Sequence, residues 1–291
     1  MMQNKIGIFV NFWENSWKVD LCKYVKKASE LGYDILEFQA QALLDMNDEQ
    51  LLHLKQVAQE CNIELTYSLG LDPAYDISSL DQDIRERGIQ YLTDIIHQIR
   101  KMDGKLLSGV SYAGWGVPTD NNKEERFLHS VNSMKRLAKI AQSYDIIYGI
   151  EAVNRFEGIL INTAAEARAY VEAVGAPNVG ILLDTYHMNI EEGNIADAIK
   201  TAGELLVGFH IGENNRTCLG RGHLNWMEIF GALKEIDYKG RIVAEPFIMK
   251  GGEVGKSIYL WRDLIADKTE QALNAEAAYM LAYVKKAMKD A

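Results

Sequence analysis

The sequence predicts an α/β fold of one particular kind, a single (β/α)8 TIM barrel occupying residues 1–291. Three observations carry that expectation. Eight short apolar runs alternate strictly with eight segments of helical period. The last four runs each end in a residue able to ligate a metal, at intervals of roughly 25 to 35 residues, about one βα unit. No linker-like composition divides the chain, which has four prolines in 291 residues and is 48% hydrophobic, enough for a sizeable core.

Taken in order, the runs fall at 6–10, 34–38, 63–68, 105–110, 146–151, 180–184, 206–210 and 241–245. A strand buried on both faces reads as a continuous apolar run, as these do. The helical segments lie at 20–31, 48–61, 81–102, 123–143, 163–174, 194–202 and 226–236, with 270–288 closing the chain. Asn162 and Thr163 supply a start signal for the fifth, and Gly32 a stop for the first. Two connections, 69–80 and 111–122, are longer than a barrel needs, and both follow strands, on the face where such folds place their ligands. They carry Gly70, Pro73, Tyr75, Tyr112, Gly114, Trp115, Gly116 and Pro118, and are expected to wall a pocket with aromatic surface. Trp13 and Trp17, after the first strand, are expected to do the same. Trp115 stands out, because its flanking glycines leave an indole little local surface to pack on.

Charge and composition narrow the function. A net charge of −10 and a pI near 5.2 argue against nucleic acid, whose phosphates need a basic face. Cys22, Cys61 and Cys218 form no CxxC pair and fit a reducing compartment better than a disulfide framework. No apolar stretch approaches the roughly 20 residues of a membrane span. The expectation is a soluble cytoplasmic protein acting on a small molecule, with neither nucleic acid nor membrane as partner.

The four strand-end residues are Glu151, Asp184, His210 and Glu245. Barrel topology brings the C-terminal ends of its strands to one mouth, so these side chains are expected to converge. Three ionised carboxylates cannot share a small volume without a cation to offset their repulsion. One divalent metal ion per chain is therefore expected. Three carboxylates with an imidazole form a hard, oxygen-rich set suited to Mn²⁺ first, with Co²⁺ or Mg²⁺ as alternatives, rather than to a thiolate-bound structural zinc.

The stretches Glu151-Ala152-Val153-Asn154-Arg155-Phe156-Glu157, Leu183-Asp184-Thr185-Tyr186-His187-Met188-Asn189, His210-Ile211-Gly212-Glu213-Asn214-Asn215-Arg216 and Glu245-Pro246-Phe247 resemble the ketose 3-epimerase family of the xylose-isomerase-like barrels. Gly251-Gly252-Glu253-Val254-Gly255 and Trp261-Arg262-Asp263 extend the resemblance, which runs nearly end to end. It implies that Glu151, Asp184, His210 and Glu245 hold the metal, and that Glu157, His187 and Arg216 bind the sugar near its C1 and C2 oxygens. Trp115, Gly70 and Phe9 are the further positions expected to contact substrate. The implied reaction inverts C3 of a free ketose, such as D-psicose/D-fructose or D-tagatose/D-sorbose, through a cis-enediolate with Glu151 and Glu245 as acid and base. A homodimer or homotetramer is the expected assembly. The chain departs from the family at Phe9, where a tyrosine is usual, in the stretch Tyr67-Ser68-Leu69-Gly70-Leu71-Asp72-Pro73, and at Leu219, where a proline is usual. Those departures are expected at the pocket end away from the metal and bear on sugar preference rather than on reaction type.

Three other functions share parts of this residue pattern. An aldose–ketose or keto-inositol isomerase of the same superfamily is the nearest, and a glutamate at both Glu151 and Glu245 favours epimerisation over it. A DNA-repair endonuclease on a related barrel conflicts with the acidic charge and with only six histidines. A noncatalytic subunit of a sugar-modifying complex conflicts with an intact set of four ligands.

Overall fold

The computed structural model describes residues 2, 4–117 and 121–291, so Pro118 of the second long connection lies outside the described residues. The chain runs β1 (Ile6–Phe9), α1 (Leu21–Leu31), β2 (Ile35–Gln39), α2 (Asp48–Glu60), β3 (Glu64–Gly70), α3 (Gln82–Lys101), β4 (Leu106–Val110) and α4 (Lys123–Gln142). It continues with β5 (Ile147–Ala152), α5 (Ala164–Val174), β6 (Val179–Asp184), α6 (Thr185–Glu191), α7 (Ile195–Ala202), β7 (Leu206–Ile211), α8 (Trp226–Glu235), β8 (Arg241–Ala244), α9 (Gly252–Ser257) and α10 (Glu270–Asp290). The strands close in sequence order, each parallel to its neighbours, and β8 pairs back onto β1. This is the predicted (β/α)8 barrel.

Local chemistry explains the helix ends. Asn47 and Gln50 form a reciprocal capping box at the start of α2, and the Asp20 and Thr163 side chains accept amide protons at the starts of α1 and α5. Gly32 ends α1 with φ +85°, a left-handed conformation that costs glycine nothing. Two helices, α6 and α9, were not among the eight expected segments. The first begins directly at a strand end, with Asp184 as its cap, so no separate turn signal announces it.

Strand alternation sorts the core into two layers. Ile8, Leu36, Tyr67, Leu107, Ile150, Leu183 and Phe209 point outward into the large apolar layer beneath the helices. Inside the barrel, Phe9, Ile35 and Val243 make a smaller cluster capped by Phe247 and Val254. Near the bottom, Gly180 leaves room for Val207, whose Cγ1 would lie 2.4 Å from any added Cβ. The β6–β7 pairing shifts register between Ile181 and Leu182, after which Asp184 stands directly opposite His210. That shift sets two of the proposed ligands side by side. Beside the barrel, Tyr33 in the turn after α1 donates to the Ala277 carbonyl of α10 at 2.7 Å, tying the last helix to the first βα unit.

Candidate metal centre and active site

Ligand atoms of Glu151 on β5, Asp184 at the end of β6, His210 on β7 and Glu245 just past β8 all lie within 4.8 Å of one another. Asp184, His210 and Glu151 are buried, and Glu245 is partly open to the mouth. Asp184 Oδ1 also accepts the backbone N–H of Tyr186 at 2.7 Å and of His187 at 3.2 Å. One carboxylate therefore fixes the start of α6 and faces the cluster.

Protonation follows from crowding. Burial pushes the Glu151 carboxyl well above its ordinary range, and the neighbouring Glu245 and Asp184 add to this against an opposing pull from His210. Burial likewise drives Asp184 up to about 7, with Glu245 adding and His210 and Arg216 opposing. Burial alone would depress His210, but the Glu37 and Glu245 carboxylates outweigh it and hold the imidazole well above its usual value. The cluster thus retains protons that a cation would displace. His210 Nδ1, 3.4 Å from a Glu245 oxygen, is buried with no aligned hydrogen-bond partner. An orphaned ring nitrogen among three carboxylates suits a divalent ion with hard-ligand preference.

A second group of residues lies beside the cluster. Arg216 donates to Glu157 Oε1 at 2.7 Å, and its guanidinium sits 4.2 Å from the Tyr186 ring centre and 5.3 Å from that of Phe247. Its backbone is held at φ +64°, in a turn where its carbonyl accepts the Phe247 N–H at 2.9 Å. Although burial works against it, Glu157 is held below the usual carboxylate range, chiefly by Arg216, with hydrogen bonds from Asn154 and Trp115 adding to it. Glu157 Oε2 also accepts the Trp115 indole N–H at 3.2 Å, and its Oε1 accepts the Asn154 amide at 3.0 Å.

His187 completes this group. The Asn154 backbone N–H donates to its Nδ1 at 3.1 Å, so Nδ1 is an acceptor and the neutral ring carries its proton on Nε2. Burial depresses its pKa to about 3, with Arg216 adding to that effect against Glu157, so the ring is neutral near pH 7. Nε2 stands 3.7 Å from Glu151 Oε1. An N–H donor is thereby presented beside a candidate base.

These groups open onto a cavity of about 740 Å³ at the barrel mouth. Its lining includes Glu151, Glu157, His187, Arg216 and Glu245 together with Gly70, Trp115, Trp17, Leu71 and Met46. Gly70 is the last residue of β3 and closely meets the Trp115 ring, where an added Cβ would lie 3.3 Å from the indole. Several expected pocket residues fall elsewhere. Phe9 does not line the cavity but is buried behind Phe247, ring centres 5.8 Å apart, because its β1 position points into the barrel below the mouth. Leu219 is fully buried and Trp13 is bonded to Asn274, both away from the cavity. Tyr112 is also core, its hydroxyl donating to the Glu151 carbonyl at 3.0 Å, and Tyr75 stacks on Tyr91 at 4.1 Å.

Two residues in contact with this machinery carry no role in the sequence reading. Asn154 sits midway between Glu151 and Glu157, yet only the fold shows that it holds both Glu157 and His187. Glu37 is a carboxylate at an inward position of β2, 2.8 Å from His210. Its one signal in the sequence is a charge in the interior of the second apolar run, between Leu36 and Phe38.

Comparison with known proteins places this geometry among relatives. Residues 25–279 match the family described as xylose isomerase-like TIM barrel. The chain is 39% identical to a D-psicose 3-epimerase of Enterocloster bolteae over 97% of its own length and 95% of that protein. It is 40% identical to a D-psicose 3-epimerase of Ruminiclostridium cellulolyticum, covering 94% of each chain. Among solved structures, D-psicose 3-epimerase with D-tagatose from Clostridium cellulolyticum superposes with a TM-score of 0.95 at 39% identity, covering 98% of this chain and 99% of that one. No helix among the described residues is long and apolar enough to cross a membrane.

Proposed function

Because the chain belongs to the xylose isomerase-like TIM barrel family and, within it, to the ketose 3-epimerases, we propose that this isomerase inverts C3 of a free ketose with residues 1–291 acting as one barrel domain. D-psicose/D-fructose is the first pair to test, with D-tagatose/D-sorbose next. The observation that carries the reading is the convergence of Glu151, Asp184, His210 and Glu245 within 4.8 Å. Those four residues would hold one divalent ion, Mn²⁺ first. When bound, such an ion supplies Lewis acidity to the ketose oxygens, worth several kcal/mol as negative charge develops.

The chain's own groups do the rest. Glu151 and Glu245 reach the site from strands three apart around the barrel, so they address a bound sugar from different sides. One takes the C3 proton, and the other returns a proton to the opposite face of the planar enediolate. Both are carboxylates held at the barrel mouth, the kind of positioned group that serves as general acid and base. Nε2–H of His187 and the Arg216 guanidinium lie where charge-assisted hydrogen bonds to the C1 and C2 oxygens can strengthen as that charge grows. Glu157 and Asn154 keep those two donors oriented.

Turnover in D₂O separates this reaction from the aldose–ketose isomerase alternative. Proton NMR of the equilibrated sugars is expected to show deuterium at C3 of both ketoses, none at C1, and no aldose. Label at C1, or an aldose product, overturns the assignment.

A further inference from the structure

Among the buried ionisable groups that the mechanism above does not use, Glu37 faces a proposed metal ligand. Glu37 is 1% exposed on β2, below the mouth, and points into the barrel. Its Oε2 accepts the Thr66 hydroxyl from the neighbouring strand at 2.7 Å, and its Oε1 stands 2.8 Å from His210 Nε2, though not on the ideal N–H line. Among the described residues, His210 is the one basic side chain within ion-pair distance of it. The His210 ring is therefore bracketed, with Glu37 at Nε2 and Glu245 at Nδ1.

To ligate a metal the imidazole must be neutral, with one N–H, and the two bracketing carboxylates would compete for it. A metal needs a lone pair, so the ring can serve as a ligand through Nδ1 only when the proton stays at Nε2. A buried carboxylate is acceptor-only and costly without donors, so Glu37 draws the proton to Nε2, while Thr66 holds the carboxylate in place. Resting on the metal site proposed above, we infer that Glu37 is a positioning residue that sets the His210 tautomer and ring orientation and thereby presents Nδ1 to the divalent ion. Outer carboxylates on ligating histidines typically change metal affinity by about 10- to 100-fold.

The test titrates purified, metal-stripped protein with Mn²⁺ by calorimetry and records the visible spectrum after Co²⁺ loading, for wild type, Glu37→Gln and Thr66→Val. Glutamine keeps the shape but offers an N–H that favours the other tautomer. Glu37→Gln is expected to bind Mn²⁺ 10- to 100-fold more weakly, to shift the Co²⁺ bands, and to regain turnover at high Mn²⁺ with the KM for ketose little changed. Thr66→Val is expected to move affinity in the same direction by less. Wild-type protein that binds no Mn²⁺ defeats the metal reading itself. Wild-type protein that binds, alongside a Glu37→Gln protein of equal affinity and unchanged Co²⁺ spectrum, overturns only the role of Glu37. Should Glu37→Gln lose its fold by circular dichroism, Glu37→Asp keeps the charge but retracts it, and an Asp variant with wild-type affinity and spectrum overturns the inference equally.

Discussion

The two halves of the barrel mouth are built from opposite materials. Strands β5 to β8 deliver Glu151, Asp184, His210 and Glu245 with His187 and Arg216 close behind, whereas the strands β2 to β4 deliver Gln39, Ser68, Gly70 and Val110 to the same cavity. Loops of the far half add Leu71 and Met46, along with the charged Asp45 and Asp72. Ionisable groups crowded at the strand ends of one half can perturb one another, as Glu151 and Asp184 do, while the uncharged groups at the cavity-lining strand ends of the other shape the space. Changes in the first half should therefore stop chemistry, and changes in the second should re-rank substrates.

The largest effect tests the charged half directly. Glu151→Gln or Glu245→Gln should each lower kcat by about 10²- to 10⁴-fold in both directions, the usual worth of a positioned acid or base. Stopped inversion with residual exchange at C3 would identify which glutamate serves which face. A variant of either that retains near-wild-type turnover breaks the division of labour.

Arg216→Ala comes next. It strips Glu157 of its buried partner, and an uncompensated buried charge costs about 3–5 kcal/mol of stability. Activity should fall strongly while metal content, by elemental analysis, stays near one ion per chain. Loss of the metal from a still-folded variant would move Arg216 into the ligand set's support.

A smaller effect separates protons from metal. Asp184 is raised to about 7 in the folded protein, so the native state binds more protons than the unfolded one between its ordinary carboxylate range and neutrality. Stability of the metal-free protein should accordingly decline as pH rises through that window, when the carboxylates charge against one another. Added Mn²⁺ should then raise Tm more at pH 8 than at pH 5. A metal-induced increment that is flat with pH would mean that the cluster is already ionised without the cation.

The far half should give the mildest changes. Gly70→Ala sets a methyl 3.3 Å from the Trp115 ring and should alter relative kcat/KM across a ketose panel by about tenfold or less, without loss of metal. Phe9→Tyr should leave that ranking unchanged and lower Tm instead, because the hydroxyl enters the apolar cluster of Ile35, Val243 and Phe247. A re-ranked panel in the Phe9→Tyr protein would return this position to the pocket wall.

Much of this molecule was legible from residue order alone. Alternating apolar and helical segments specified the barrel, and a polar residue near the C-terminal end of a buried strand has few places to go but the mouth, so Glu151, Asp184, His210 and Glu245 could be read as one set. Trp115 was legible for a different reason, because its flanking glycines left the indole without local packing. Other features were decided only by closure of the barrel. Phe9 sits inside the barrel but one layer too low, behind Phe247, because depth depends on strand stagger and not on sequence spacing. The partnership of Glu37 with His210 joins positions 173 residues apart (210 less 37), across a barrel interior that exists only once β8 has paired with β1. The His187 tautomer rests on a single backbone N–H of Asn154, whose direction is set by the turn after β5. Residue type and periodicity state which groups a chain owns and which face each occupies; which two buried groups meet, and which of them keeps the proton, follows from distances that only the assembled barrel defines.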